Sequence, residues 1–138
     1  MAFEQTLTTS FKKEVLLGVH DLETDTIKLA LFLATADLNA ATTVYTVTGE
    51  TSGTGYTPGG NVLTGVTVLT SGTTAYVDFA NSVWDPASFT ARGALIYNAS
   101  KGDKAIAVLD FGADKTSTTS FTVQMPANTV TSALIRFA

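Results

Sequence analysis

The side chains able to do chemistry are few in this chain, and their spacing suits none of the common reactions. There is no cysteine, so no thiolate nucleophile, disulfide or thiolate metal site. There is one histidine, His20. A Ser-His-Asp triad would need it as the base, yet it follows a helix end in a polar turn, and no G-x-S-x-G turn accompanies any serine. His20 is read as structural. Asp21, Glu23 and Asp25 alternate like the opening of a calcium loop. Thr26 stands where such a loop needs glycine, and Phe32 where it needs a bidentate glutamate, so a solvated turn is the default reading. Asp78, Asp85, Asp110 and Asp114 are the carboxylates a sugar-cleaving pair would draw on. They fall at strand ends, where Asp serves turns, and no cluster of Trp and Tyr marks a sugar cleft. The run Gly49 to Gly60, GETSGTGYTPGG, lacks the G-x-x-x-x-G-K-[ST] spacing of a phosphate loop and has no Lys beside it. Its glycines are read as a tight backbone path with positive φ. Asn98-Ala99-Ser100 fits the glycosylation pattern, which carries meaning only in a secreted protein. The expectation is therefore no enzyme, with no catalytic, cofactor-binding or metal-binding residue.

Composition narrows the partners. The 138 residues suit a single domain, 1–138, large enough for a packed core without staples. Charged residues make up 14%, against about 25% in an average domain. Thr, Ser and Ala take their place, so the surface should be neutral and polar, with less protection against association. A net charge of -4 and scattered basic residues, with Lys12-Lys13 the adjacent pair, argue against nucleic acid. The longest apolar run, Ile27 to Ala36, is broken by Lys28 and is too short for a membrane span. The N-terminus shows no secretory pattern, so synthesis and folding in a cytoplasm are expected.

The elements that would position these residues read as mainly β. Phe3, Leu7, Phe11 and Val15 recur every fourth position, with Leu16 widening the stripe, which predicts a helix or arm over 1–18 ending at Gly18. Thr9 or Ser10 is the candidate cap if the helix is shorter. The stripe either packs on the body or docks on a partner. TIKLALFLA then alternates, with Ile27, Leu29, Leu31 and Leu33 on the buried side of a strand. Val44–Thr48 is a short extended segment, and 49–61 is a long Gly-rich loop. Strands are predicted at Val62–Leu69, Thr74–Ala80, Val83–Trp84, Phe89–Asn98, Lys104–Phe111, Ser120–Met125 and Ser132–Phe137. With the first strand these make about eight, the count of a two-sheet β-sandwich of jelly-roll type. The expected core is Leu29, Leu31, Val66, Val68, Val77, Phe79, Leu95, Tyr97, Ile106, Val108, Phe121, Val123, Leu134 and Ile135.

Four segments carry a resemblance: Asp25 to Leu31 (DTIKLAL), Glu50 to Gly60 (E-x-S-G-x-G-Y-x-x-G-G), Ala91 to Asn98 (ARGALIYN) and Ala107 to Gly112 (AVLDFG). In this order they resemble a family of small virion proteins of tailed bacteriophages, whose members begin with a short helix. The resemblance spans nearly the whole chain and names no catalytic residue. It implies a capsid cement or decoration protein on the outer surface of the virion, made in the host bacterial cytoplasm. Such a protein staples neighbouring copies of the major capsid protein and works as a homo-oligomer, a dimer or a trimer. The alternatives are a tail, neck or adaptor protein, and a carbohydrate-binding module that tethers the virion to host glycans. For the last, Trp84, Tyr56, Tyr76 and Tyr97 are the available stacking platforms.

The contact surface is expected first in the long loop, through Glu50, Ser52, Gly53, Gly55, Tyr56, Pro58 and Gly59, and second at the N-terminus, through Phe3 and Leu7. Glycines let backbone groups approach a partner, Pro58 limits the freedom lost on binding, and Tyr56 offers a large aromatic group. The opposing reading is that Tyr56 folds back onto its own sandwich.

Overall fold

The computed structural model describes residues 4–127 and 129–137. In chain order the strands and helix are β1 (Thr6–Leu7), α1 (Thr9–Leu16), β2 (Ile27–Phe32), β3 (Asn61–Val62), β4 (Thr67–Ser71), β5 (Thr74–Asp78), β6 (Ser82–Trp84), β7 (Phe89–Asn98), β8 (Lys104–Ser117), β9 (Phe121–Val123) and β10 (Ile135–Phe137), with one 3₁₀ turn at Ala99–Lys101. Strands hold 44% of residues and helix 8%, far below the one third that an average mixed domain spends on helix. The chain is mainly β, as its turn-punctuated Val/Ile/Thr runs imply.

The main sheet has five strands in the order β1-β8-β7-β2-β3, all antiparallel neighbours. Its centre is built from AIAVL in β8, GALIY in β7 and IKLALF in β2. These runs are apolar at nearly every position because both faces of the sheet are covered. On one face Leu29, Leu31, Ala94, Ile96 and Ile106 meet Phe11 of α1 together with Val77, Phe79, Trp84, Phe121, Val123 and Ile135. On the other, Ala30, Phe32, Leu95, Tyr97, Ala105 and Val108 meet Ala36, Leu38 and Tyr45 of the segment after β2. Each fully buried Leu, Ile or Phe contributes roughly 1.5–3 kcal/mol. The layer over the first face is divided into a three-stranded sheet, β10-β5-β4, and a two-stranded ribbon, β6-β9. Several antiparallel sheets thus stand where two were expected, and the jelly-roll order stays an expectation of the strand count.

Several local expectations change. The N-terminal helix is one element shorter at its start: Thr6 and Leu7 form an edge strand on β8, and the helix begins only after Thr8. Thr8 is fully buried, and its hydroxyl accepts the Phe11 amide at 3.2 Å as the N-cap. The Phe11 side of the helix is buried, while Leu16 is 87% exposed and so does not extend the packed stripe. Phe3 lies outside the described residues. The run 62–69 is interrupted at Gly65, with φ +66, and yields β3 and β4. Val44–Thr48 forms no strand beyond a single bridge from Val44 to Lys104. β8 runs on to Ser117 past a bulge, where Gly93 faces Asp110 but Ala91 faces Lys115. Of the expected core, Val68 is exposed because β4 is an outer strand, and Val66 and Leu134 are half-buried at the rim of the core. Leu33 falls one residue past β2 and is exposed.

Candidate functional site

The long loop lies along the open edge of β2. Leu33 donates its amide to Gly49 O at 2.9 Å, and the Thr51 amide donates to Leu31 O at 2.9 Å. The Leu31 amide donates to the Tyr56 phenol oxygen at 2.9 Å. A side-chain oxygen here takes the place of a neighbouring strand's carbonyl. Tyr56 in turn donates to Glu50 Oε2 at 2.6 Å, and Tyr45 donates to Glu50 Oε1 at 2.7 Å. The Gly59 amide also donates to Glu50 Oε2, at 2.8 Å, and Tyr97 donates to Gly59 O at 2.7 Å. The Tyr45 and Tyr97 rings stack 4.6 Å apart, and the Tyr56 ring packs against Trp84 and Phe89. Burial, then the bond to Glu50, pushes the Tyr56 phenol far above its ordinary range. Burial, with the charges of Asp103 and Glu50, pushes Tyr97 up to about 12. These phenols stay protonated donors, which suits a structural clamp.

Two glycines in this loop are required by packing as well as by φ. A Cβ at Gly60, with φ +79, would come 1.8 Å from Leu29 O, and one at Gly55, with φ +87, 1.9 Å from Pro86 O. Backbone approaches backbone there, within the molecule.

Among the residues expected to make contact, the structure therefore separates two groups. Tyr56 and Gly59 are buried and Glu50 is half-buried, all engaged in holding the loop to the sheet. Ser52, Gly53, Gly55 and Pro58 are exposed along its outer rim. Leu7 is half-buried in β1. The opposing reading of Tyr56 is the one the structure supports, and Tyr45 is the partner that sequence reasoning missed. Its signal was an acidic residue, Glu50, placed between two tyrosines with no basic residue near it in sequence.

His20 belongs to a second polar cluster. Its side chain is fully buried, with Nε2 2.9 Å from Glu14 Oε1 and Nδ1 accepting from Asn98 Nδ2 at 2.9 Å. Asn98 also donates to Asp25 Oδ2 at 2.8 Å, and its own Oδ1 accepts the Ser100 amide at 3.0 Å. The amide cannot flip without losing those bonds, so His20 carries its proton on Nε2 and donates to Glu14. Lys101 bridges to Asp25 at 3.0 Å. This cluster ties α1 and the 21–25 turn to the end of β7. Asn98 is fully buried, which removes it as a modification acceptor in the folded chain.

The remaining candidates are dispersed. Asp21 accepts the amides of Glu23 and Thr24 within its own turn, while Glu23 reaches the Val68 amide. Among the described residues no group of three His, Cys, Asp or Glu is placed to hold a metal ion. Asp110 pairs with Arg92 at 2.9 Å and closes the β8 bulge by accepting the Gly112 amide. Asp78 is buried on β5 in a different sheet. Of the four candidate sugar platforms, Trp84, Tyr56 and Tyr97 are inside the fold. Among the described residues no helix is long and apolar enough to cross a membrane. A groove of about 930 Å³ runs between β8 and β9, with Phe111, Phe121, Met125 and Leu134 on its floor and threonines along its rim. Compared with known proteins, the chain matches no family model, no curated protein and no solved structure.

Proposed function

We propose that this chain is a structural protein of a tailed-bacteriophage virion, of the capsid cement or decoration type. In this reading it binds the outer surface of the assembled shell and staples neighbouring copies of the major capsid protein, as a β-sandwich of jelly-roll type whose second layer is divided. It works without catalysis and without nucleic acid. The observation that supports the reading is how the polar side chains are used. Glu50 with Tyr45 and Tyr56, and His20 with Asn98 and Asp25, form two clusters inside the molecule, and the stretch of the long loop that faces outward, Ser52 to Gly55 with Thr57 and Pro58, is neutral. A surface of this kind suits many weak, polar contacts repeated over a lattice, where small affinities multiply. The contact is assigned to the exposed rim Ser52, Gly53, Gly55 and Pro58, held in shape by the Glu50 clamp.

The test uses particles assembled without this protein. They should form, release DNA at lower temperature, and regain resistance when purified protein is added. Ser52→Arg should bind such shells at least tenfold more weakly while melting as the wild type does. Restored tail attachment without shell binding moves the role to the neck or tail. Capture on a glycan array without binding to either moves it to host tethering.

A further inference from the structure

The outer strand of the three-stranded sheet is unusually open. All five residues of β4, Thr-Val-Leu-Thr-Ser, are exposed, and among the described residues β4 pairs with β5 on one side only. Natural edge strands are guarded by charge, proline or a bulge. β4 contains none of these: its register with β5 is unbroken from Thr67↔Asp78 to Ser71↔Thr74.

The register also says which backbone groups face outward. Ser71 and Thr74 close a two-residue turn, so they form a bonded pair, and bonding alternates from there. Leu69 and Thr67 turn their amides and carbonyls toward β5. Val68 and Thr70 turn theirs away. The Val68 amide bears this out by donating to Glu23 Oε2 at 2.9 Å. A carboxylate on an exposed side chain covers that donor.

We infer that β4 is the edge through which two copies of this chain pair, antiparallel, about a two-fold axis at Leu69. The occupant must be an extended strand, because what the edge offers is a row of backbone donors and acceptors. A second copy fits through its charge and its symmetry. The strand is neutral, so a copy of itself brings no like charge against it. With the axis at Leu69, Val68 faces Thr70 of the second copy, and every outward amide and carbonyl of both residues is matched. The same register sets Leu69, 37% exposed, against Leu69 of the second copy on one face, and on the other places Thr70 of the second copy at the end of the Val68–Val77–Ile135 row. The three-stranded sheet becomes six-stranded, and the contact is isologous and closed. Val68 exchanges Glu23 for a backbone carbonyl, so Glu23 opposes pairing and its removal strengthens it.

This deepens the homo-oligomer in the reading above. Its test needs only purified protein, so it fails separately from the virion assignment. Sedimentation equilibrium of the full chain should give a monomer–dimer equilibrium. Thr70→Pro removes an outward amide that the β4–β5 ladder does not use and should weaken the dimer at least tenfold. Leu69→Lys places two ammonium groups at the axis and should do the same, with an unchanged melting curve; it decides the matter if Thr70→Pro does not fold. Glu23→Ala should tighten the dimer. A wild-type monomer at all concentrations overturns the proposal. So does a trimer, or a dimer that Leu69→Lys leaves intact.

Discussion

Asp78 and Asp25 are held largely out of water with opposite consequences. Asp78 is 2% exposed; its Oδ1 accepts the Phe79 amide at 2.8 Å, and Oδ2 has no partner among the described residues. Burial pushes its carboxyl above the ordinary value of 3.8, and the amides of Phe79 and Leu134 offset this only in part. Burial is also the largest single influence on Asp25 and acts upward. The Asn98 amide, the Asp21 N–H and Lys101 together outweigh it and bring Asp25 down to about 2. The signs follow from linkage. Stability tied to Asp78 is fully present below pH 3.8 and is lost as pH rises through its raised folded value. Stability tied to Asp25 is present above pH 3.8 and is lost as pH falls through about 2. Denaturant unfolding across pH should therefore show Asp78→Asn gaining on the wild type as pH rises, with a flat difference in acid. Asp25→Asn should instead converge on the wild type below about pH 2. A difference for Asp78→Asn that stays flat across the whole range contradicts the assignment. Neither behaviour was legible in the sequence, where both residues read as turn or strand-end Asp. His20 was legible as structural, but its full burial between Glu14 and Asn98 was not, because those partners lie 6 and 78 positions away.

The loop over β2 carries on the edge position of β3 along the second half of β2. Its glycines divide by cause from those of ordinary turns. Gly60 needs both its φ of +79 and the missing Cβ, since Leu29 O lies 1.8 Å from where that atom would be. Gly72 in the β4–β5 turn needs only its φ of +59, with nothing within 4 Å. Gly72→Ala should cost on the order of 1 kcal/mol, the usual strain of a left-handed residue with a side chain. Gly60→Ala should cost at least about 2 kcal/mol more, because backbone must move apart. Equal urea midpoints for the two variants contradict the close-packing account. The sequence signalled a loop with positive φ here, and the glycines have it. It did not signal which way Tyr56 points. That depends on the Leu31 amide, which is left without a strand partner only once β2 takes its place in the sheet.

At the scale of the whole molecule, stability is unevenly spread. β2, β7 and β8 form a sheet buried on both faces, with Leu95, Ile96 and Val108 fully inaccessible. The ribbon β6-β9 and strand β10 contribute three residues per strand; alternate side chains anchor the ribbon, and Ile135 alone anchors β10. Local opening follows such differences in burial. Native-state hydrogen exchange should find the slowest amides in β2, β7 and the centre of β8. The amides of Ile135 to Phe137 should exchange at least about tenfold faster. A C-terminal strand as protected as β7 contradicts this order and makes the three sheets one cooperative unit.

The sequence by itself determined the class of the fold and most of its core. Turn residues between short Val, Ile, Thr and Phe runs specify strands locally, but the alternation in TIKLALFLA signalled one buried side, and the burial of Ala30 and Phe32 on the other face of β2 came only with packing. It also determined that chemistry-bearing side chains are scarce, since composition needs no folding to be read. Only the tertiary structure decided how the strands divide among three sheets, that Thr8 and not Thr9 or Ser10 caps the helix, and that Val68 lies outside the core. It alone decided that Tyr56 turns inward to Glu50 and Leu31. These outcomes rest on pairings between residues far apart in the chain. An amide or a carboxylate takes the partner that the finished packing brings within about 3 Å, and no local pattern records which one that is.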